Sequence, residues 1–82
     1  MTAKNRVEVR IAGKEYTLVG TESDEYMQRI ALYVDKKMAE IQNLNKKLST
    51  NAVSVLTSIN ITDELIKAKE KIAKLETELV EL

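Results

Sequence analysis

The sequence predicts an α+β fold, in which an N-terminal β-hairpin packs with one amphipathic helix and a long C-terminal helix forms a coiled coil. Three observations support this prediction. Apolar and polar residues alternate between residues 6 and 19, which is the period of a half-buried strand. After Gly20 the apolar residues recur at helical spacing. Residues 51–82 contain neither glycine nor proline and carry a coiled-coil repeat.

The hairpin is predicted to span about residues 5–19. Val7, Val9 and Ile11 lie on one face of its first strand and alternate with charged residues on the other face. The segment 12–14, Ala-Gly-Lys, is a turn signal, because glycine adopts a positive φ without steric cost. Two strands alone are barely stable in water, so this hairpin requires a helix on its apolar face or strands from a partner.

The first helix is predicted to span about residues 22–47 and to form, with the hairpin, a head comprising residues 1–48. Residues 21–24 supply N-cap candidates and the early acidic residues that suit a helix start. One face of the helix carries an apolar stripe, whose members are Met27, Ile30, Ala31, Val34, Met38, Ile41, Leu44 and Leu48. This stripe predicts that the helix packs against the hairpin.

The long helix is predicted over residues 49–82, with Ser49 or Thr50 as its cap. At 1.5 Å per residue it would be about 45 Å long, which is more than a head of this size can cover. We therefore expect it to pack against the head as far as about residue 64 and to project as a coiled coil over about residues 65–82.

Two apolar stripes run along the long helix. The first, here called the seam, has the 3-4 spacing of coiled-coil a and d positions and comprises Leu65, Ala68, Ile72, Leu75, Leu79 and Leu82. The second stripe recurs every seven residues at position b and comprises Ile59, Ile66, Ala73 and Val80. Because a two-stranded coil leaves position b exposed, the second stripe predicts contact with a further helix, as in a four-helix bundle.

Charged residues flank the seam at positions that face a partner helix. Glu64 and Lys71 fall at position g, and Lys69 and Glu76 fall at position e. In a parallel pair Glu64 would face Lys69, but an antiparallel pair also matches opposite charges. The orientation of the coil therefore stays open at this point.

The composition argues against several classes of function. The 82-residue chain is long enough for one small domain and contains neither cysteine nor histidine, so we expect no disulfide, zinc site or conventional nucleophilic centre. Its 13 basic and 13 acidic residues cancel, which argues against nucleic-acid binding. No apolar run approaches the roughly 18 residues that cross a bilayer, and no signal peptide is evident. We expect a cytoplasmic protein without a membrane partner.

Two features of the sequence have an alternative interpretation, as a catalytic site or as a membrane-binding surface. Asp63 and Glu64 could form a paired-carboxylate site, but Asp63 also stands four residues before Lys67, which is the spacing of a helical ion pair. The apolar stripe of the long helix could lie on a membrane surface, but its polar face mixes acids and bases, which favours a partner helix. We therefore expect a non-enzymatic protein with no cofactor and no metal.

Three segments resemble the ZapA family of bacterial cell-division proteins. Residues 7–18 look like the opening hairpin of that family, with its Gly-Lys or Gly-Arg turn. Residues 26–41, which include Tyr-Val-Asp-Lys-Lys-Met at 33–38, are similar to its first helix. Residues 58–65, Ser-Ile-Asn-Ile-Thr-Asp-Glu-Leu, resemble the family's most specific signature. Their order and spacing match over nearly the whole chain.

The resemblance implies a function as well as a fold. Members of the family bind FtsZ, the tubulin-like division GTPase, and promote lateral bundling of its filaments at the mid-cell division ring, without being enzymes. They form homodimers that can pair into tetramers through the coil. The family's basic head residues implicated in FtsZ contact correspond here to Lys14 and Lys47, whereas Ala52 replaces an acidic residue. The alternative is a generic coiled-coil dimerisation module or regulatory subunit with no filament partner.

Overall fold

The computed structural model describes residues 4–81 as a β-hairpin followed by two helices. The strands are β1 (Asn5–Ile11) and β2 (Lys14–Gly20), and the helices are α1 (Asp24–Leu44) and α2 (Thr50–Glu81). This order confirms the predicted α+β fold. Leu82, the last predicted residue of the seam, lies outside the described residues.

The hairpin has an antiparallel register and a two-residue connection at Ala12 and Gly13. Both connecting residues have positive φ, 52° for Ala12 and 78° for Gly13, as a turn matching the twist of a tight hairpin requires. Lys14, assigned to the turn from the sequence, is instead the first residue of β2 and pairs with Ile11.

The core of the head lies between one face of the hairpin and α1. Its buried members are Val7, Val9, Met27 and Ala31, and the partly buried Ile11 and Leu18 pack against them. Each buried apolar side chain contributes about 1.5–3 kcal/mol relative to full exposure, so a core of this size is small. The alternating face of β1 and the stripe residues Met27 and Ala31 thus meet as the sequence predicts, whereas Ile30 (44%) and Leu44 (87%) of the same stripe are exposed in the single chain.

Polar side chains of the head also hold the hairpin in place. The Gln28 side-chain amide donates to the Glu8 carbonyl at 2.9 Å, and the Asn5 side-chain amide donates to the Glu22 carbonyl at 2.7 Å. The first bond satisfies a carbonyl of β1 and ties that strand to α1. The second bond ties the start of β1 to the segment that leads into α1.

Each helix begins at a serine cap. The Ser23 hydroxyl accepts the Tyr26 N–H at 3.2 Å, and the Ser49 hydroxyl accepts the Ala52 N–H at 3.1 Å. α1 begins later and ends earlier than the predicted interval 22–47. It stops because Asn45 takes an extended conformation, with φ −148°, and its side-chain oxygen accepts the Lys47 N–H at 3.1 Å.

α2 packs on α1 through its first half and then leaves the head. Val53 and Thr57 are buried, and Glu64 is half-buried, whereas every residue from 65 to 80 is exposed in the single chain. The described chain measures 50 × 44 × 15 Å along its principal axes, so it is thin in one direction and extended in the other two. The projecting part of α2 therefore presents its apolar residues to solvent or to another chain.

Candidate functional site

The two lysines singled out from the sequence lie at one end of the head. Lys14 opens β2 directly after the hairpin turn, and Lys47 lies in the loop between α1 and α2; both are exposed. Ala12 of the turn and Thr50 at the start of α2 line the same groove. The turn and the inter-helix loop are therefore neighbours, and we call this part of the head the basic end.

Hydrogen bonds fix the backbone of the basic end. The Ala12 N–H donates to a carboxylate oxygen of Asp35 at 2.8 Å, which holds the hairpin turn against α1. In the loop, the Gln42 side-chain amide lies 3.4 Å from the carbonyl oxygens of Lys46 and Leu48. These contacts order the backbone that carries the lysines and leave the exposed lysine side chains to other partners.

A groove, here called the head groove, runs between the turn and the two helices. Its volume is about 210 Å³. The groove is lined by residues from the turn, from α1 and from α2. The turn contributes Ala12, α1 contributes Asp35, Met38, Ala39 and Gln42, and α2 contributes Thr50 and Val53. Met38 and Val53 are buried apolar side chains, so the bottom of the groove is apolar while its walls include polar groups.

The lysines of the basic end have no carboxylate partner among the side chains of residues 4–80. The ion pairs in this part of the chain involve Lys37 and Lys67, and neither lies in the turn or the loop. Lys14, Lys46 and Lys47 are therefore exposed lysines outside the ion pairs of the described side chains. Such a surface attracts an acidic partner and is weakened by salt.

A second polar site, here called the junction cluster, joins α1 to α2 where the long helix leaves the head. The Glu64 carboxylate accepts a hydrogen bond from the Tyr33 hydroxyl and forms an ion pair with the Lys37 ammonium. The Lys37 nitrogen also lies 5.5 Å from the centre of the Tyr33 ring, within range of a cation–π interaction. Glu64 is thus held within its own chain, a pairing that the seam register does not indicate.

The contacts of the junction cluster shift the pKa values of all three groups. The hydrogen bond from Lys37, supported by that from Tyr33, lowers the pKa of Glu64. The same contacts with the carboxylate raise the pKa of Lys37 and the pKa of Tyr33. The cluster therefore favours an ionised glutamate, a charged lysine and a neutral tyrosine, which is the protonation state in which it links the two helices.

The described members of both predicted stripes are exposed on α2. In the seam, Leu65, Ile72, Leu75 and Leu79 are between 49% and 71% exposed. In the second stripe, Ile59 and Ile66 border one shallow surface with Ser58, Thr62 and Asp63. Ile59 also lines an apolar groove against the head, which includes Leu44, Leu48 and Leu56. The second stripe thus begins on the head and continues along the projecting helix.

Among the side chains of residues 4–80 no group of three acidic residues is arranged to hold a metal ion. Asp63 forms the i,i+4 ion pair with Lys67 at 3.0 Å, and Glu64 belongs to the junction cluster. The two adjacent carboxylates therefore have separate partners. In the same part of the chain, no helix combines the length and the apolar character needed to cross a bilayer.

Comparison with known proteins identifies the family. The model for cell division protein ZapA matches residues 7–82. The chain belongs to the ZapA family. A ZapA from Geobacillus thermodenitrificans is 43% identical over 76 residues, covering 93% of this chain and 84% of the relative. The Bacillus subtilis ZapA is 41% identical over 78 residues, covering 95% and 92%.

Two solved structures share the fold of this chain, and one of them is a ZapA. A mutant ZapA dimer from Geobacillus stearothermophilus aligns with a TM-score of 0.76 and 38% identity, covering 96% of this chain and 92% of the other. An unknown conserved bacterial protein from Pseudomonas aeruginosa PAO1 aligns with a TM-score of 0.77 and 29% identity, covering 94% and 86%. The family is one of cell division proteins, and the dimeric neighbour from Geobacillus stearothermophilus supports self-association of this chain.

Two features of this ZapA-family chain are not predicted by its sequence pattern. The junction cluster joins residues 31 positions apart, so only the spacing of Tyr33 and Lys37 on one helix was available as a signal. Asp35 lies off the apolar stripe, and no sequence pattern indicates that its carboxylate accepts the Ala12 N–H of the hairpin turn. Both contacts depend on the packing of one element against another.

Proposed function

We propose that this protein binds FtsZ through the basic end of its head and promotes lateral bundling of FtsZ filaments at the division ring. One observation carries the proposal: the basic end and the seam lie at opposite ends of α2. Thr50 lines the head groove, whereas the seam begins at Leu65, about 22 Å further along the helix. A chain can therefore associate with other copies and keep its lysines free.

The basic end suits repeated weak contacts with an acidic filament surface. Lys14 and Lys47 are exposed and unpaired within the described chain, but exposed ion pairs usually contribute under about 1 kcal/mol each. A single head would therefore bind weakly. Several heads on one assembly make each later contact intramolecular, and this raises the avidity without improving the individual interface.

Assembly on this proposal uses both stripes of α2. The seam pairs two chains into a homodimer, and the second stripe joins two dimers into a homotetramer. The exposure of Leu79 (71%) and Val80 (85%) supports a partner on each stripe, because apolar side chains in this arrangement gain about 25 cal/mol per Å² when covered. The protein then acts as a structural cross-linker in the cytoplasm at mid-cell and not as an enzyme.

Co-sedimentation with polymerised FtsZ tests the proposal. We expect the wild-type chain to pellet with the filaments and to increase light scattering as bundles form. Lys14→Glu combined with Lys47→Glu should abolish bundling while the melting temperature and oligomeric mass stay close to wild type. Raising the salt concentration should reproduce part of the loss, because exposed charge pairs are screened.

The matched control changes the same number of charges on the projecting helix. Lys67→Glu combined with Lys74→Glu alters two exposed lysines of α2 outside the seam and the second stripe. It removes one exposed ion pair, between Lys67 and Asp63, that contributes under about 1 kcal/mol, so bundling should persist. Undiminished bundling by the Lys14/Lys47 variant would remove both lysines from the binding site. A wild-type chain that never pellets with FtsZ would favour the alternative, a self-association module with no filament partner.

A further inference from the structure

The head groove has the dimensions of a site for one side chain. Its volume of about 210 Å³ is below the roughly 300–1,000 Å³ typical of small-molecule sites. Its bottom is formed by the buried side chains of Met38 and Val53, with Ala39 beside them. An apolar side chain inserted there would be removed from water on several sides. The groove is therefore suited to an anchor residue and not to a cofactor.

The walls of the head groove define how a peptide would approach. One carboxylate oxygen of Asp35 accepts the Ala12 N–H, and this bond keeps the hairpin wall in place. A negative group placed directly over Asp35 would be repelled. Lys14 lies two residues after the lining residue Ala12, and Lys47 lies three residues before the lining residue Thr50; both lysines are exposed. Acidic residues are thus favoured beside the anchor and an apolar residue is favoured at the anchor itself.

We propose that the head groove takes one apolar side chain from an acidic segment of the filament partner, with carboxylates of that segment lying against Lys14 and Lys47. This inference rests on the proposed function and adds the chemistry of the bound segment. Central anchors in desolvated pockets dominate interface energies, whereas exposed charges at the rim contribute little. The groove would therefore supply most of the affinity and the lysines would supply attraction and orientation.

Filling the head groove from two different walls tests the inference. Ala39→Phe places a ring in the groove from α1, and Thr50→Leu extends an apolar side chain into it from α2; both positions are exposed. Each variant should weaken co-sedimentation with FtsZ at least tenfold. Asn43→Phe is the matched control, because it adds the same ring to an exposed position of α1 that does not line the groove.

The outcomes separate this inference from the proposed function. If the wild-type chain does not bind FtsZ, the proposed function itself fails. If the wild type binds and both groove variants bind as well as Asn43→Phe, the groove inference is overturned while the function stands. If the groove variants change the sedimenting mass of the protein alone, a second copy occupies the groove and the inference is again overturned. Having two variants guards against one that fails to fold, as judged by circular dichroism.

Discussion

The head and the projecting part of α2 are both rich in apolar side chains, but only the head covers them within one chain. Val7, Val9 and Val53 are at most 6% exposed, whereas Leu75 and Leu79 are at least 49% exposed. The head gains its burial from three elements that meet. The projecting helix has no neighbour in the single chain, so its apolar stripes are satisfied only by other chains.

The two regions also differ in their polar contacts. In the head, the side chains of Gln28, Asp35 and Asn5 bond to backbone groups far away in the sequence. In the projecting helix, the polar contact is local: the Thr77 hydroxyl donates to the Ala73 carbonyl at 3.0 Å. The tertiary contacts of α2 thus extend as far as Glu64. The head specifies its own shape, while the shape of the coil depends on what it binds.

The largest effect is expected from a charge in the seam. Ile72→Asp would bury an unpaired carboxylate in each chain of the assembly, at a cost of about 3–5 kcal/mol per site. We expect sedimentation to show loss of assembly, and thermal melting to show a less stable head, since its core is small. Lys74→Asp places the same residue off both stripes and should leave the mass unchanged. An unchanged mass for Ile72→Asp would exclude this stripe from self-association.

A smaller effect is expected from a charge in the second stripe. Ile66→Glu should convert tetramers into dimers without unfolding the head, because Ile66 is 51% exposed in the single chain and lies beyond the junction cluster. Sedimentation equilibrium over a range of concentrations measures the change. Complete unfolding of this variant would instead place Ile66 in the dimer core, and the assignment of the second stripe would be wrong.

The junction between the two regions predicts a pH dependence. Because contacts with Lys37 and Tyr33 lower the pKa of Glu64, the ionised carboxylate is favoured in the folded state. The contribution of this carboxylate to the free energy of unfolding is complete above the ordinary glutamate pKa of about 4.3. It is lost as the pH falls through the lower pKa of the folded state. Urea midpoints measured between about pH 2 and 7 should therefore decline less steeply at low pH in Glu64→Gln than in wild type.

The matched control for the junction is Glu70→Gln, which removes an exposed carboxylate that forms no ion pair with the side chains of residues 4–80. It should retain the wild-type acid dependence. At alkaline pH the stability changes in the opposite direction with pH. Contacts with Glu64 raise the pKa of Lys37 and of Tyr33, so the stabilisation from these two groups is lost as the pH rises through their raised pKa values. Parallel acid curves for Glu64→Gln and wild type would show that the cluster does not link the helices in solution.

The smallest effect concerns a buried hydroxyl between the helices. Thr57 is 3% exposed, and its hydroxyl has no hydrogen-bond partner in the described part of the chain. Thr57→Val keeps the branched shape and removes the unsatisfied group, so we expect the free energy of unfolding to rise by about 1 kcal/mol. Thr62→Val is the control, because the Thr62 hydroxyl already donates to the Ser58 carbonyl at 2.7 Å. A destabilised Thr57→Val would reveal a hydrogen bond formed in the assembly.

The sequence by itself determined the elements and the faces that they bury. Period-two alternation placed Val7 and Val9 in the core, and helical spacing placed Met27, Ala31 and Met38 there. Local chemistry determined the helix starts, since Ser23 and Ser49 cap them. These features depend on neighbours within a few residues, so a linear pattern is enough to reveal them. The 3-4 spacing of apolar residues likewise identifies the seam.

Only the tertiary structure decided which distant residues share a site. The hairpin turn and the inter-helix loop meet at the head groove, although Ala12 and Thr50 lie far apart in the chain. The seam register alone would assign Glu64 to a partner helix, but α1 places Tyr33 and Lys37 close enough to hold it. Contacts of this kind depend on the distance and angle between packed elements, and no local pattern records either quantity.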